Sequence, residues 1–369
     1  MHDLISRLFA AGFRPFFLGA ALLAMAAVPV WVAVHTGHLN RAPAMGYAWH
    51  AHEMLLGYAF AVFAGFLTIR SSGWRAALPF LLWATARVCL ALPSNGAYLI
   101  GVVADLALVP LLVALRSPPL WSVWKWPNGV FLPVLLGFWA GNLVFHAGMT
   151  DAVTWLSFPI ARDLSLDVVT LLLAAMGGRL IPGYTGATLT HIRPPRRPGL
   201  EIASILPIAA AAVLHLAGAV SLAGILLLAS ACALAVRQAS WRPWETCHLP
   251  LLWILHAGYA WLILGLALRA LADLGFPVDT TLAIHALTVG ALGSLTLGMM
   301  TRITLNQTRS ALKADDATVA AFALLQLAAA FRVAGPLIVA DPTSAQAAAL
   351  LWSFAFVLWL ARYARLLLA

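Results

Sequence analysis

The chain has 369 residues, of which 63% are hydrophobic and 9% charged, against roughly 25% charged residues in a soluble domain, and its mean hydropathy is +0.92. These values exclude a soluble globular protein. A formal net charge of +9 would suggest nucleic-acid binding in a soluble chain, but here the basic residues sit in short segments between apolar runs and read as topology signals.

In chain order the sequence predicts an all-α, polytopic membrane helix bundle of about twelve transmembrane helices. The spans fall near residues 16–34, 47–69, 78–93, 97–115, 129–148, 159–180, 202–218, 220–236, 249–272, 281–303, 317–339 and 345–367. The whole chain, 1–369, reads as a single transmembrane domain. Its first apolar run is longer than the core of a signal peptide and reads as retained. Arg41 is the one basic residue in a loop on one side, and Arg87, Arg162, Arg269 and Arg332 fall inside spans. The other lysines and arginines, Arg116 and Lys125 among them, lie at the termini or after even-numbered spans. By the positive-inside rule both termini are cytoplasmic. Seven of the fifteen tryptophans, Trp31, Trp121, Trp124, Trp126, Trp155, Trp241 and Trp244, lie near span ends, as an aromatic belt requires.

The second span opens with Trp49-His50-Ala51-His52-Glu53-Met54, which carries two imidazoles and a carboxylate into the membrane. Ionisable groups are costly in hydrocarbon and mark function there. On a regular helix His50, Glu53 and Met54 share one face and His52 points roughly to the opposite side, so the two histidines serve different centres or different roles. Alternating topology places His50, His52, Glu53, Asn142, His146, His215 and His285 towards the outer face, with Asp163 and Asp167 one helical turn apart in the same layer, and His256 deeper. The in-span Arg87 and Arg162 require partners, for which Asp105, Asp163 and Asp167 are available. His35, His38, His191 and His248 read as solvated.

The tenth span, His285 to Arg302, carries Ala286, Gly290, Ser294 and Gly298 at every fourth position. Such a stripe admits a close neighbouring helix, or the flat face of a porphyrin. Met299 and Met300 read as packing residues, with Cu(I) ligation as the alternative. Cys89, Cys232 and Cys247 form no CxxC pair and no CxxCH, so neither a disulfide framework nor a c-type haem is indicated. No Walker or dinucleotide motif occurs, so ATP or NAD chemistry within this chain is unsupported.

Five blocks together, GFRPFF at Gly12–Phe17, WHAHEML at Trp49–Leu55, GGRLIP at Gly177–Pro182, HAGYAWLILGL at His256–Leu266 and HALTVGALGSLTLGMMTR at His285–Arg302, resemble the NnrS family. The resemblance implies a twelve-span protein of the bacterial inner membrane that contains haem and copper and acts in nitric oxide metabolism or relief of nitrosative stress. Two segments depart from the family pattern. Arg70-Ser-Ser-Gly-Trp-Arg75 replaces an Asn-Trp-Thr-Gly segment, and Asn306-Gln307 stands where the family has a Gly-His pair.

Neutral imidazole ligates both iron and copper, so His50, His52, His256 and His285 are the expected metal ligands of a non-covalent haem b or a copper ion. Arg14, Arg179 and Arg302 are candidates for haem propionates, with topology anchoring or helix capping as their other role. Glu53 is the candidate proton-handling catalytic group, or else is neutralised by an arginine of a neighbouring helix. The expected partners are the lipid bilayer and a small ligand such as nitric oxide; no nucleic acid is expected, and no motif identifies an electron donor. A transporter for copper, haem or a metal complex, and a non-catalytic metal sensor or assembly factor, are the alternatives. The basic loop from Leu180 to Arg197 is the one cytoplasmic connection long enough for docking.

Overall fold

A computed structural model describes residues 2–39, 46–115, 131–149, 157–339 and 342–369. Arg41, Arg116, Lys125, Trp121, Trp124, Trp126, Trp155 and the first residues of the expected fifth span lie outside them. All regular structure among the described residues is helical. A short helix, His2–Leu8, precedes Phe13–His35, a continuous helical run over 47–67, Trp74–Ala91, Asn95–Leu115, Phe131–Gly148, Phe158–Thr188, Pro198–Leu216, Val220–Ala239, Pro250–Asp273, Thr280–Gln307, Asp316–Val333 and Thr343–Leu368. Each expected span falls on one of these, and nine of the described helices are long and apolar enough to cross a membrane. Helices satisfy all their backbone polar groups internally, which is what an apolar solvent demands. Ile202, Leu206 and Val213, on the helix Pro198–Leu216, remain 60%, 61% and 65% exposed, an apolar surface suited to lipid.

The helix Phe158–Thr188 runs well past the expected end of the sixth span at residue 180, so half of the supposed 180–197 loop is helical. The remaining loop meets the turn Pro243–Thr246 through a 2.6 Å hydrogen bond between His191 Nε2 and Glu245 Oε2. That bond, with Arg242 alongside, holds the Glu245 carboxyl below its ordinary proton affinity. His191 is therefore exposed but paired.

The chain forms two compact units, residues 1–168 with 356–369, and residues 169–355. In the first, the GFRPFF block seats one helix on another. The Gly12 N–H donates to Thr68 O at 3.1 Å and Ser71 O at 2.9 Å, and a Cβ at Gly12 would collide with Thr68. Phe16 then packs edge-on against Phe80 and Trp83, with ring centroids 5.7 and 6.3 Å apart. Arg14 Nη1 donates to Arg7 O at 3.0 Å and to Leu367 O at 3.2 Å, so it caps a helix end and brings the first and last long helices together at one side.

In the second unit the every-fourth-residue stripe is filled by protein. A Cβ on Gly290 would lie 2.5 Å from Trp261, and one on Gly298 would lie 2.8 Å from Leu255. Trp261 Nε1 donates to Gln326 Oε1 at 2.9 Å, whose amide donates to Ser294 Oγ at 2.7 Å, tying three helices. Van der Waals fit and such bonds hold helices together where lipid supplies no hydrophobic drive. The substitution Gly290→Val, which pushes against the root of the Trp261 ring, is expected to lower stability by about 1–3 kcal/mol in thermal unfolding of the detergent-solubilised protein.

Candidate metal centre

The second span is not a uniform α-helix. Tyr47–His52 is α-helical, Glu53–Tyr58 is π-helical, and Ala59–Leu67 is α-helical again. The π segment starts at the carboxylate of the WHAHEM block and widens the turn there, as π-bulges at functional sites do. Helix Trp74–Ala91 reads this segment with two residues one turn apart. Trp83 Nε1 donates to Gly57 O at 3.0 Å, and Arg87 Nη1 donates to Glu53 Oε1 at 3.1 Å. Gly57 is a glycine for a local reason, because a Cβ there would collide with Arg87 Nη1 and stand 3.1 Å from Glu53 Oε2.

Arg87 Nη2 also pairs with Asp105 Oδ1, from helix Asn95–Leu115. Asp105 Oδ2 then lies 3.2 Å from His52 Nε2 and 3.6 Å from His146 Nε2. His52 Nδ1 lies 3.2 Å from Glu53 Oε1, and its Nε2 lies 3.0 Å from Asn142 Oδ1. Asn142 and His146 are one turn apart on helix Phe131–Gly148 and so face the same way. His146 Nδ1 meets the Tyr98 hydroxyl at 3.3 Å. Four helical segments of one unit thus deliver Glu53, His52, Arg87, Asp105, Asn142 and His146 to one place, all buried.

One ligand atom each from His52, Asp105 and His146 lies within 4.8 Å of the others, close enough to hold a single metal ion. Asp105 Oδ2 and His146 Nε2 are buried without a well-formed hydrogen bond. His52 has an acceptor at each ring nitrogen, Glu53 at Nδ1 and Asp105 and Asn142 at Nε2, so the cluster is arranged to hold a positive charge at Nε2, a proton or a metal ion.

The other expected site residues are elsewhere. In the same unit His50 stacks on Trp31, centroids 4.2 Å apart, while Tyr47 Oη bonds His35 Nε2 at 2.8 Å. A single residue, Ala51, separates His50 from His52, but only His52 enters the cluster. His52 and Glu53 also act side by side, whereas a uniform helix would send Glu53 with His50; the change of helix type at residue 53 alters the spacing. Arg14 is the cap described above.

In the second unit, Thr185 Oγ1 donates to Ile181 O at 2.9 Å, so the 3.0 Å bond to His256 Nε2 is donated by the imidazole and the lone pair sits on Nδ1. His285 Nδ1 donates to Thr281 O at 2.7 Å, which leaves the lone pair on Nε2. Arg302 lies 4.1 Å over the Tyr184 ring and donates to Leu251 O at 3.3 Å. The GGRLIP block has its own purpose: Gly177 lies against the Tyr259 ring and Gly178 against the Arg237 guanidinium, while Arg179 lies on the same helix. His215 is saturated, with Arg269 donating to Nδ1 at 3.2 Å and Nε2 bonding Asp273 at 3.0 Å.

Arg87, Asp105 and His146 were not among the expected ligands. Arg87 and Arg162 are in-span charges that need partners, with Asp105, Asp163 and Asp167 on offer; Arg87 takes Asp105, and Arg162 takes its neighbour Asp163 at 2.8 Å. The readings of Glu53 as a carboxylate beside a histidine and as one neutralised by a neighbouring arginine both hold in the geometry.

A helical chain with several membrane-length apolar helices and a buried cluster of imidazoles and carboxylates is a polytopic membrane protein with a candidate metal centre. It belongs to the NnrS family: a family model described as NnrS protein matches residues 7–369. No curated protein matches the chain.

Because Arg87 is the guanidinium paired with both Glu53 and Asp105, Arg87→Met is expected to lower stability by about 3–5 kcal/mol. Adding Glu53→Gln to that variant restores part of the loss, as read by thermal unfolding in detergent.

Proposed function

We propose that the chain is a metal-binding protein of the bacterial inner membrane, of the NnrS type, acting in nitric oxide metabolism or relief of nitrosative stress. The observation that carries this reading is the convergence of His52, Asp105 and His146, with Glu53 beside them, inside a chain of this family. Twelve spans in one transmembrane domain, with both termini cytoplasmic, are part of the proposal. Arg14 supports it by joining the start of the first long helix to the end of the last, as an even number of crossings would.

The residues divide the work. His52 Nε2, His146 Nε2 and Asp105 Oδ2 are the donors. Glu53 accepts from His52 Nδ1 and so fixes the ring with Nε2 towards the cluster, the carboxylate–histidine arrangement that orients metal ligands. Glu53 is also placed to take up or release a proton near a bound small molecule, which makes it the proposed catalytic residue. The Tyr98 hydroxyl is hydrogen-bonded to His146 Nδ1 and fixes the second ring. Arg87 holds Asp105 by Oδ1, leaving Oδ2 to bind. A metal ion here supplies a coordination position at which a small redox molecule binds.

The haem and copper implied by the family resemblance would draw further ligands from His50, His256 and His285, with Arg14, Arg179 and Arg302 as propionate partners. His256 and His285 each have one ring nitrogen fixed as donor.

Metal analysis and absorption spectroscopy of the purified full-length protein test the reading. Stoichiometric transition metal is expected, lost on His146→Ala or Asp105→Asn; wild-type protein without metal would refute it. Tyr98→Phe, which keeps every donor, is expected to weaken metal affinity roughly 10–100-fold in competition with a chelator.

A further inference from the structure

The identity of the ion follows from the donors, if the cluster binds metal as proposed above. We infer that the centre formed by His52, Asp105 and His146 takes a single non-haem divalent ion of the ferrous type. It is neither a haem iron nor a sulfur-ligated Cu(I).

Size comes first. The three donor atoms lie within 4.8 Å of one another and the His52 and His146 rings are 4.9 Å apart, while Phe145 packs on the His52 ring at 5.0 Å. That arrangement encloses one ion and leaves no room for a macrocycle between the donors. A haem ligated by either ring would also have to displace Asp105, which is anchored to Arg87 through its other oxygen.

Donor type comes second. The set is two imidazole nitrogens and one carboxylate oxygen, with the Asn142 amide oxygen 3.0 Å from His52 Nε2. Cu(I) selects thiolate or thioether sulfur, and none belongs to this set. Two histidines and one carboxylate with positions left open are the donors of non-haem ferrous centres.

Denticity comes third. Because Arg87 occupies Asp105 Oδ1, the carboxylate offers only Oδ2, so the protein fills three positions from three helical segments and the others remain for exogenous ligands. Both imidazoles are oriented from behind, His52 by Glu53 and His146 by Tyr98. The burial of Asp105 Oδ2 and His146 Nε2 without well-formed hydrogen bonds independently marks the point at which an ion would sit.

The test uses full-length protein purified in detergent, loaded without oxygen with ferrous ion or, separately, with cuprous ion, and then exposed to nitric oxide as a spectroscopic probe. Stoichiometric uptake of the added ferrous ion with no gain in Soret absorbance, and the electron paramagnetic resonance signal of a high-spin non-haem ferrous nitrosyl, are expected in the wild type. The signal is expected to be lost in Asp105→Asn and His146→Ala. Copper binding stoichiometrically while ferrous ion gives no signal would overturn the inference and leave the metal-centre reading standing. Binding of neither ion by the wild type would overturn both. A signal that persists in a folded His146→Ala protein would overturn the assignment of donors. The wild-type measurements decide between the ions even where a variant does not fold.

Discussion

The structure of the first unit depends on one guanidinium. Arg87 reaches Glu53 on one side and Asp105 on the other, and none of the three is exposed by more than 7%. A buried ion with no partner costs several kcal/mol, so the loss of any one of these side chains leaves another uncompensated in the interior. The local sequence is built around that need. The π turn begins at Glu53, Gly57 clears space for the Arg87 head group, and Trp83 secures the carbonyl of Gly57. Each of these would be a defect in an ordinary span.

Ion pairing alone does not account for the cluster. One positive group and two negative ones are unequal, and the surplus carboxylate oxygen of Asp105 faces two imidazoles instead of a second arginine. A site built only to stitch helices would be balanced. In the proposed metal centre a bound cation would balance the surplus, and the two imidazoles supply nitrogen donors that suit a transition metal better than an alkali ion.

Much of the architecture was legible in the sequence because membrane helices announce themselves by length and apolarity, and the bilayer permits little else. Every expected span falls on a helix, and the need of Arg87 for an aspartate followed from hydrocarbon physics alone. The site was legible only in part. His52 and Glu53 were visible because they stand in a conspicuous block, whereas His146, a single histidine near a span end, had no local mark of function. The π turn was hidden as well, since helical periodicity assumes one spacing throughout, and this left the relative directions of His50, His52 and Glu53 misjudged. The small-residue stripe after His285 admitted two readings, and Trp261 and Leu255 occupy it.

His146 and His215 show why the remainder could not be read from one strand of sequence. Both are single histidines near the outer ends of spans, and nothing within their own helices separates them. His215 meets a guanidinium at one nitrogen and an aspartate at the other, so both ring atoms are committed to hydrogen bonds. His146 meets a phenol at one nitrogen and, at 3.6 Å, a carboxylate that also faces a second imidazole. The first arrangement consumes the imidazole in structure, and the second leaves Nε2 without a well-formed hydrogen bond beside a carboxylate it shares with another imidazole. The difference between a structural and a ligating histidine therefore resides in which helices become neighbours, an outcome of tertiary packing and not of the residue's own surroundings in the chain.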